Sequence, residues 1–575
     1  MLDSYRKYIL GNKAVIPFGV TVIDDYAFEG CESLTDIDIP SSVIEIGDSS
    51  FKDCKHLINI KIPSSVTKIC SSVFQGCVSL CGIKIPRSIT KIECCTFWGC
   101  SCLVSVELPD SITDIGWCAF KDCVSLVEID IPNSVTKIGQ SAFENCESLV
   151  DIEIPDSVTE IDSSAFRGCI GLNYLAIPDS VTTIGSSAFE NCKGLARVKL
   201  PSNVAYIGWE TFKGCIELIT MEIPDSVTAI ERSAFEGCES LMAIDIPDNV
   251  TEIGESAFEG CESLVDIRIP KSVTKIRRSA FKGCKSLVDI EIPDSVTEID
   301  DSVFSHCPSL TRAVMPNNIR KIGRFAFSGC SRVTSIEIPA TVIEIGENPF
   351  IGCPCIKSIN VSPLNKEFFS RTNCLLTKNE EYLLAGCMNS VIPDGVKEIG
   401  KYAFSGCYNL TSINIPKSVT TISKLAFYDC SNLTHIILPD NVVSIGYAAF
   451  EGCSRLKGLL LSNKLSSIEE YAFARCTSLT SLNLPDNVKW IGEGAFSSCP
   501  NLTELSINFK DPLEAESVFE RLKDDCDITI DYLTGDILEP DLKLYNISLF
   551  VPIGTGYAYR HNSFFKQFKE VKATL

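Results

Sequence analysis

Histidine is scarce in this chain, with four in 575 residues: His56, His306, His435 and His561. No two stand at ligand spacing, H-E-x-x-H is absent, and thirty cysteines include no C-x-x-C. A zinc centre, which needs ligands converging at close spacing, is not supported. Glycine loops of dinucleotide or P-loop spacing are missing, as is a G-x-S-x-G elbow, so no enzyme class has its signature here. No apolar run approaches eighteen residues, which excludes a membrane-spanning helix. The opening MLDSYRKYILGNKAVIPFG lacks a basic region, an apolar core and a small-residue cleavage site, and reads without a signal peptide. Basic residues are too few to balance the acids, 51 against 74, giving a net charge of -23. That balance argues against nucleic acid and for a basic protein or a cation as partner. With 45% hydrophobic residues the chain is not a disordered acidic one.

What the sequence does hold is one unit, written again and again. LVDIEIPDSVTEIDSSAFRGCIG at Leu149–Gly171 returns as LVDIRIPKSVTKIRRSAFKGCKS at Leu264–Ser286. Phe recurs every 23 residues from Phe28 to Phe350, in fifteen units, and from Phe404 to Phe519, in six. A fixed period of this length predicts a solenoid, in which each unit packs on its neighbours. Within the unit, Leu149, Ile152 and Ile154 alternate with Asp151 and Glu153, the pattern of a half-buried strand. Pro155 ends it, since proline cannot donate into a ladder, and Asp156–Ser157 make the turn. Val158 and Ile161 point inward from a second extended piece. Asp162 or Ser163 is placed to cap one helical turn, whose Ala165, Phe166 and Cys169 fill the core, and Gly168 lets the chain re-enter the next strand. The expected fold is a solenoid of short parallel β-strands with one-turn helical or extended corners, forming a curved right-handed array with the main strand on the concave side.

Along the chain, residues 1–17 read as a partial N-terminal unit and 18–361 as a first arm. Between Phe350 and Phe404 the step is 54 residues, eight more than two units. There, 362–393 read as an irregular hairpin insertion turning at Asn379-Glu380. Residues 394–526 form a second arm with a degenerate last repeat, and 527–575 a C-terminal capping segment. That segment has a strand-like LYNISLFVP and an aromatic end carrying Phe564, Phe565 and Phe568.

Twenty of the thirty cysteines occupy one position, three residues after the repeated Phe, from Cys31 to Cys353 and from Cys407 to Cys499. A single inward column predicts a ladder of buried thiols, not a disulfide framework. Ten lie outside it: Cys70, Cys81, Cys94, Cys95, Cys102, Cys118, Cys355, Cys374, Cys387 and Cys526. Cys95 and Cys118, each two residues before a Phe, are expected to stack in adjacent turns.

The outward strand positions vary. Their acids are Asp36, Asp38, Glu107, Glu128, Asp130, Asp151, Glu153, Glu222, Asp245, Asp266, Asp289, Glu291, Glu337 and Glu504. Their bases are Lys61, Lys84, Arg197, Lys199, Arg268 and Arg312, so acids lead fourteen to six. At strand spacing, Glu128, Asp130, Asp151 and Glu153 form a four-carboxylate patch, with Tyr174 as a nearby outward aromatic. Three readings of this stripe stand side by side: a solvated face, a contact for a basic partner, and a weak calcium site, the last without the spacing of a dedicated loop. Catalysis needs an idiosyncratic constellation, and a chain that repeats itself offers none. No catalytic residue, metal ligand or cofactor is expected.

The frame I-P-x-x-V-x-x-I-x-x-x-A-F-x-x-C-x-x-L is clearest in IPDNVTEIGESAFEGCESL at Ile246–Leu264. It resembles the 23-residue leucine-rich repeats of BspA-like surface proteins and the related treponemal repeats, over residues 15–507. NKEFFSRTNCLLTKNEEYLL resembles the hairpin module that interrupts such arrays, and residues 549–571 are similar to the closing segment of Bacteroidetes members. The resemblance implies a non-catalytic scaffold, surface-exposed or secreted, that adheres to matrix proteins or other microbes through a macromolecular partner. It carries no fixed binding motif, so no residue role transfers. The alternatives are a spacer or display stalk without a ligand and, more distantly, an enzyme with a pocket at the hairpin near Phe368 and Phe369 or in the C-terminal cap.

Overall fold

The computed structural model describes residues 7–518, 529–530, 537–538 and 547–574. Phe519, Cys526, the first six residues of the partial N-terminal unit and most of 519–546 lie outside the described residues. The chain forms two compact units, Met1–Ser295 and Val296–Leu575.

In the first unit, the repeat at Leu149–Cys169 shows how sequence becomes a coil. Leu149, Ile152 and Ile154 are buried, and Val150, Asp151 and Glu153 are exposed. The Pro155 carbonyl accepts the Val158 N–H at 3.0 Å, closing the turn that the proline begins. Glu160–Ile161 then forms a two-residue strand, parallel and in register with Lys137–Ile138 before it and Thr183–Ile184 after it. Such strands make a second ribbon, while Tyr174–Ala176, Arg197–Lys199, Thr220–Glu222 and Ala243–Asp245 belong to a main ribbon, also parallel. At the start, Lys13–Val15 pairs parallel with Asp36–Asp38 and antiparallel with Ile9–Leu10.

The corner is the one-turn element that the sequence calls for, yet its hydrogen bonds are not those of a helix. Ala165, Arg167 and Cys169 donate backward to Asp162, Ser164 and Phe166 in linked three-residue turns. The alternate donors Ser164, Phe166 and Gly168 reach the carbonyls of Ser186, Ala188 and Glu190 in the next coil, at 2.9, 2.8 and 2.7 Å. This alternation needs left-handed backbone at Ser164 (φ 57°) and Gly168 (φ 73°). Glycine accepts that conformation freely; serine does so at a cost of roughly 1–2 kcal/mol, held by the ladder above and below it. Inside, the Phe rings stack from Phe28 to Phe281 with centroids 5.3–5.8 Å apart, as in Phe143–Phe166 at 5.3 Å and 6°.

The second unit repeats this scheme, with stacked rings from Phe304 to Phe350 and from Phe404 to Phe496. Between these stacks, Phe368–Arg371, Cys374–Thr377 and Tyr382–Ala385 form an antiparallel meander. Asn379 organises its tight turn by accepting from the Thr377 hydroxyl and the Glu381 N–H. The corner ladder bypasses this insertion: Gly352 N–H donates to the Ser405 carbonyl at 3.0 Å, so the corners of Phe350 and Phe404 are consecutive. Near the C-terminus, Ser481–Leu484, Glu504–Ile507, Ser548–Val551 and Glu570–Ala573 form a parallel sheet. Phe564, Phe565 and Phe568 are buried beside it, on and around a short 3-10 turn at Phe565–Gln567.

Candidate interaction face

All thirteen outward residues singled out on the first unit's main ribbon, from Asp36 to Glu291 and including Tyr174, have exposed side chains. Their electrostatic surroundings differ. Lys13 reaches Asp36 at 3.6 Å and Asp38 at 2.8 Å, and its pKa rises chiefly through the hydrogen bond to Asp38. Glu107 is paired with Lys84. No cation pairs with Glu128, Asp130, Asp151 or Glu153 among the described residues, although both outward columns there are acidic. Two carboxylates one rung apart, about 4.8 Å, repel by roughly 1 kcal/mol even in water.

The backbone responds at these rungs. Glu128 keeps one bridge, to Ser105, and residues 151–153 form no strand. Asp36–Asp38, equally acidic but held by Lys13, is a regular strand. Repulsion across both columns thus accompanies loss of the ladder. It is not the sole cause, since residues 411–416 also lack it without such charges.

Two features of the face were not drawn from the sequence. One is a column of apolar side chains immediately before the first outward strand position, which is acidic at Glu128 and Asp151: Ile58, Cys81, Val104, Val127 and Val150, each exposed. Their backbones are locked rung to rung, with Cys81, Val104, Val127 and Val150 donating to the residue 23 earlier at 3.4, 2.9, 3.2 and 3.3 Å. Position after the repeated Leu was the available signal. The other is on the second ribbon, where outward charges of opposite sign meet on adjacent strands. Lys68–Glu45 (2.7 Å), Lys91–Asp114 (3.3 Å) and Lys137–Glu160 (3.0 Å) pair across adjacent strands. The hydrogen bond from Lys68 holds the Glu45 carboxyl below its ordinary value. That ribbon is internally compensated, and the main ribbon around residues 128–153 is not.

The histidines serve local structure where their contacts are described. His56 Nδ1 lies 2.6 Å from the Glu32 carbonyl and His561 Nδ1 2.8 Å from that of Tyr557. Among the described residues no three His, Cys, Asp or Glu side chains gather to hold a metal ion, and no helix is long and apolar enough to cross a membrane. In the second unit an open cleft of about 580 Å³ is lined by Arg312, Met315, Ser335, Glu337 and Ser362. Cys95 and Cys118 fall in adjacent turns, where the Cys95 N–H reaches the Trp117 carbonyl at 2.8 Å.

A model of the BspA type leucine rich repeat region matches residues 7–126, 68–196, 159–288, 251–374 and 380–518. Among solved structures, a leucine rich cell surface protein from Faecalibacterium prausnitzii A2-165 is 25% identical over 77% of this chain and 83% of its own, with a TM-score of 0.35. A leucine-rich repeat protein from Bacteroides ovatus ATCC 8483 is 21% identical over 86% of this chain and 89% of its own, with a TM-score of 0.29. A leucine-rich repeat protein from Eubacterium ventriosum ATCC 27560 is 23% identical over 49% and 83%, with a TM-score of 0.34. No curated protein matches the chain.

Proposed function

This chain belongs to the BspA type leucine rich repeat family, and from that premise we propose that it is a non-catalytic, protein-binding scaffold whose partner docks on the acidic strand face of the first unit. One observation carries the reading: the inward columns of Phe, Cys, Leu and Ile stay nearly constant from coil to coil, while the outward strand residues vary and, at Glu128, Asp130, Asp151 and Glu153, collect carboxylates that no cation among the described residues pairs with. Constant cores build the scaffold, and variable faces are where a repeat protein meets its partner. The face spans Asp36, Asp38, Glu107, Glu128, Asp130, Asp151 and Glu153, continues past Tyr174 to Glu222 and Asp245, and ends with Asp266, Asp289 and Glu291. A long repetitive surface suits a macromolecule better than a small molecule, which wants an apolar pocket with a few convergent polar groups. The partner is a protein presenting basic groups, and the proposed setting is the cell surface, in keeping with the description of the Faecalibacterium relative as a cell surface protein.

The test is capture of matrix proteins and envelope components by the purified chain at low and physiological salt. It is repeated with Glu128, Asp130, Asp151 and Glu153 all changed to Ser. Electrostatic recognition predicts weaker capture at higher salt and with the fourfold change. A captured partner indifferent to both would overturn the acidic-face assignment, and capture of nothing would leave a spacer as the better account.

A further inference from the structure

The apolar column and the uncompensated carboxylates lie side by side on the same coils, and together they specify more than a basic partner. Ile58, Val104, Val127 and Val150 are 45, 46, 41 and 52% exposed, and Cys81 fills the rung between the first two. Five consecutive coils therefore present a ridge of small apolar side chains in fixed register, about 19 Å long at strand spacing. The acids adjoin its far end, where Glu128 follows Val127 and Asp151 follows Val150. We propose that this ridge is the seat of an amphipathic helix of the partner, lying along the stack with its apolar stripe on Val104, Val127 and Val150 and its Lys or Arg residues over Glu128, Asp130, Asp151 and Glu153.

The proposal rests on the acidic-face reading and adds the shape of the partner. Spacing favours a helix: successive helical turns rise 5.4 Å, close to the rung spacing of about 4.8 Å, so each turn sets one side chain against each rung. An extended segment repeats its same-side residues only every 6.6–6.8 Å or so and leaves rungs uncovered. Charge complementarity selects a basic helix, because no cation among the described residues pairs with Glu128, Asp130, Asp151 or Glu153 beside the ridge. Apolar contact and flanking charge on one helix is a recurring mode of peptide recognition.

The experiment uses the full chain and two labelled peptides of about 18 residues, enough to cover the ridge. Both have the same Leu and Lys composition, one ordered to be amphipathic as a helix and the other scrambled. Fluorescence anisotropy should show the amphipathic peptide binding at least about tenfold more tightly, and the triple change Val104→Ser, Val127→Ser, Val150→Ser should abolish that difference. Val127→Thr with Val150→Thr, which keeps side-chain shape, should reduce it in the same direction if the triple variant folds poorly. Equal binding of both peptides, still lost with the fourfold carboxylate change, would overturn the helix while leaving the acidic face standing. Binding of neither peptide at low salt would remove both.

Discussion

The thiol of Cys146 donates to the main-chain carbonyl of Phe120, 3.2 Å away in the preceding coil. The same carbonyl accepts the Cys123 N–H at 3.2 Å within its own corner, so the thiol satisfies a second lone pair that would otherwise be buried unused. The bond recurs from Cys54 to Phe28, from Cys169 to Phe143 and from Cys261 to Phe235, and in the second unit from Cys430 to Phe404. A small, mostly apolar side chain with one weak donor is what this position asks for. Cys146→Ala should cost about 1–2 kcal/mol, from a small unfilled space and the lost bond. Hydrogen exchange at the coils around residues 120–169 should report it as faster opening. Unchanged exchange would mean that neither the thiol's volume nor its bond stabilises the coil.

Burial raises these thiols above their ordinary value near 9, Cys146 and Cys169 well above it and Cys192 to about 12. The sign follows from linkage. A thiol whose folded pKa is raised stays protonated in the coil while the unfolded chain ionises, so its stabilisation is complete below pH 9 and is lost as pH climbs toward the folded value. Each ionising column thiol contributes a slope of about 1.4 kcal/mol per pH unit in that window. The melting temperature should therefore be flat across neutral pH and fall steeply from about pH 9 upward. A Cys-to-Ala series down the column should flatten that fall, rung by rung. A thiol reagent at pH 7.5 should label the column only after denaturation.

The period of Phe and the alternation of Leu149, Ile152 and Ile154 made the coil legible because core packing is a local, repeated demand on residue type. The Phe stack and the inward Cys column followed from the same periodicity. The corner's hydrogen bonding was less legible. SSAFRGC fits a helical turn by composition, and only the demand that Ser164, Phe166 and Gly168 serve the next coil forces two left-handed residues into it. The bypass of the hairpin was hidden for a different reason. A 54-residue step marks an inserted hairpin without saying which corners it separates, whereas Gly352 and Ser405 show that the corners continue and the insertion is spliced into the strand side. At the candidate face, the outward acids were countable in the sequence. The exposed Val104, Val127 and Val150 were not recognised, because an apolar residue beside a repeated Leu is read by default as more core.

Two lysines separate charge pairs that matter from those that do not. Lys137 sits between Glu160 at 3.0 Å and Asp162 at 3.3 Å, with each side chain a third or more exposed. Lys121 meets Glu144 at 2.9 Å with side chains only 24% and 12% exposed, and packs over the Trp98 ring. Desolvation opposes the charge on Lys121, but its bonded carboxylate outweighs that and leaves its pKa raised. Lys137→Met should change stability by about 0–1 kcal/mol, vanishing in high salt. Lys121→Met should cost about 1–3 kcal/mol with little salt dependence, since it strands a buried carboxylate. Denaturation of both variants at two salt concentrations decides the comparison, and equal losses would refute the burial argument.

The last prediction concerns the splice itself. Gly406 has φ 70°, and a Cβ built on it falls 2.5 Å from Gly352 Cα and 2.8 Å from Gly352 N. Both obstacles are backbone, which cannot swing aside as a side chain would. The two glycines are 54 residues apart in the chain, so their contact is what seats the coil after the hairpin on the coil before it. Gly406→Ala adds the left-handed penalty of roughly 1–2 kcal/mol to this clash and should destabilise the second unit by about 2 kcal/mol or more. Gly82→Ala is the matched control, because its Cβ meets nothing nearer than the Ser105 carbonyl at 3.7 Å and its φ is not left-handed. Limited proteolysis should cut Gly406→Ala within the hairpin around Asn379–Glu380 well before it cuts the control. If the two variants resist protease alike, the corner contact does not hold the insertion in place.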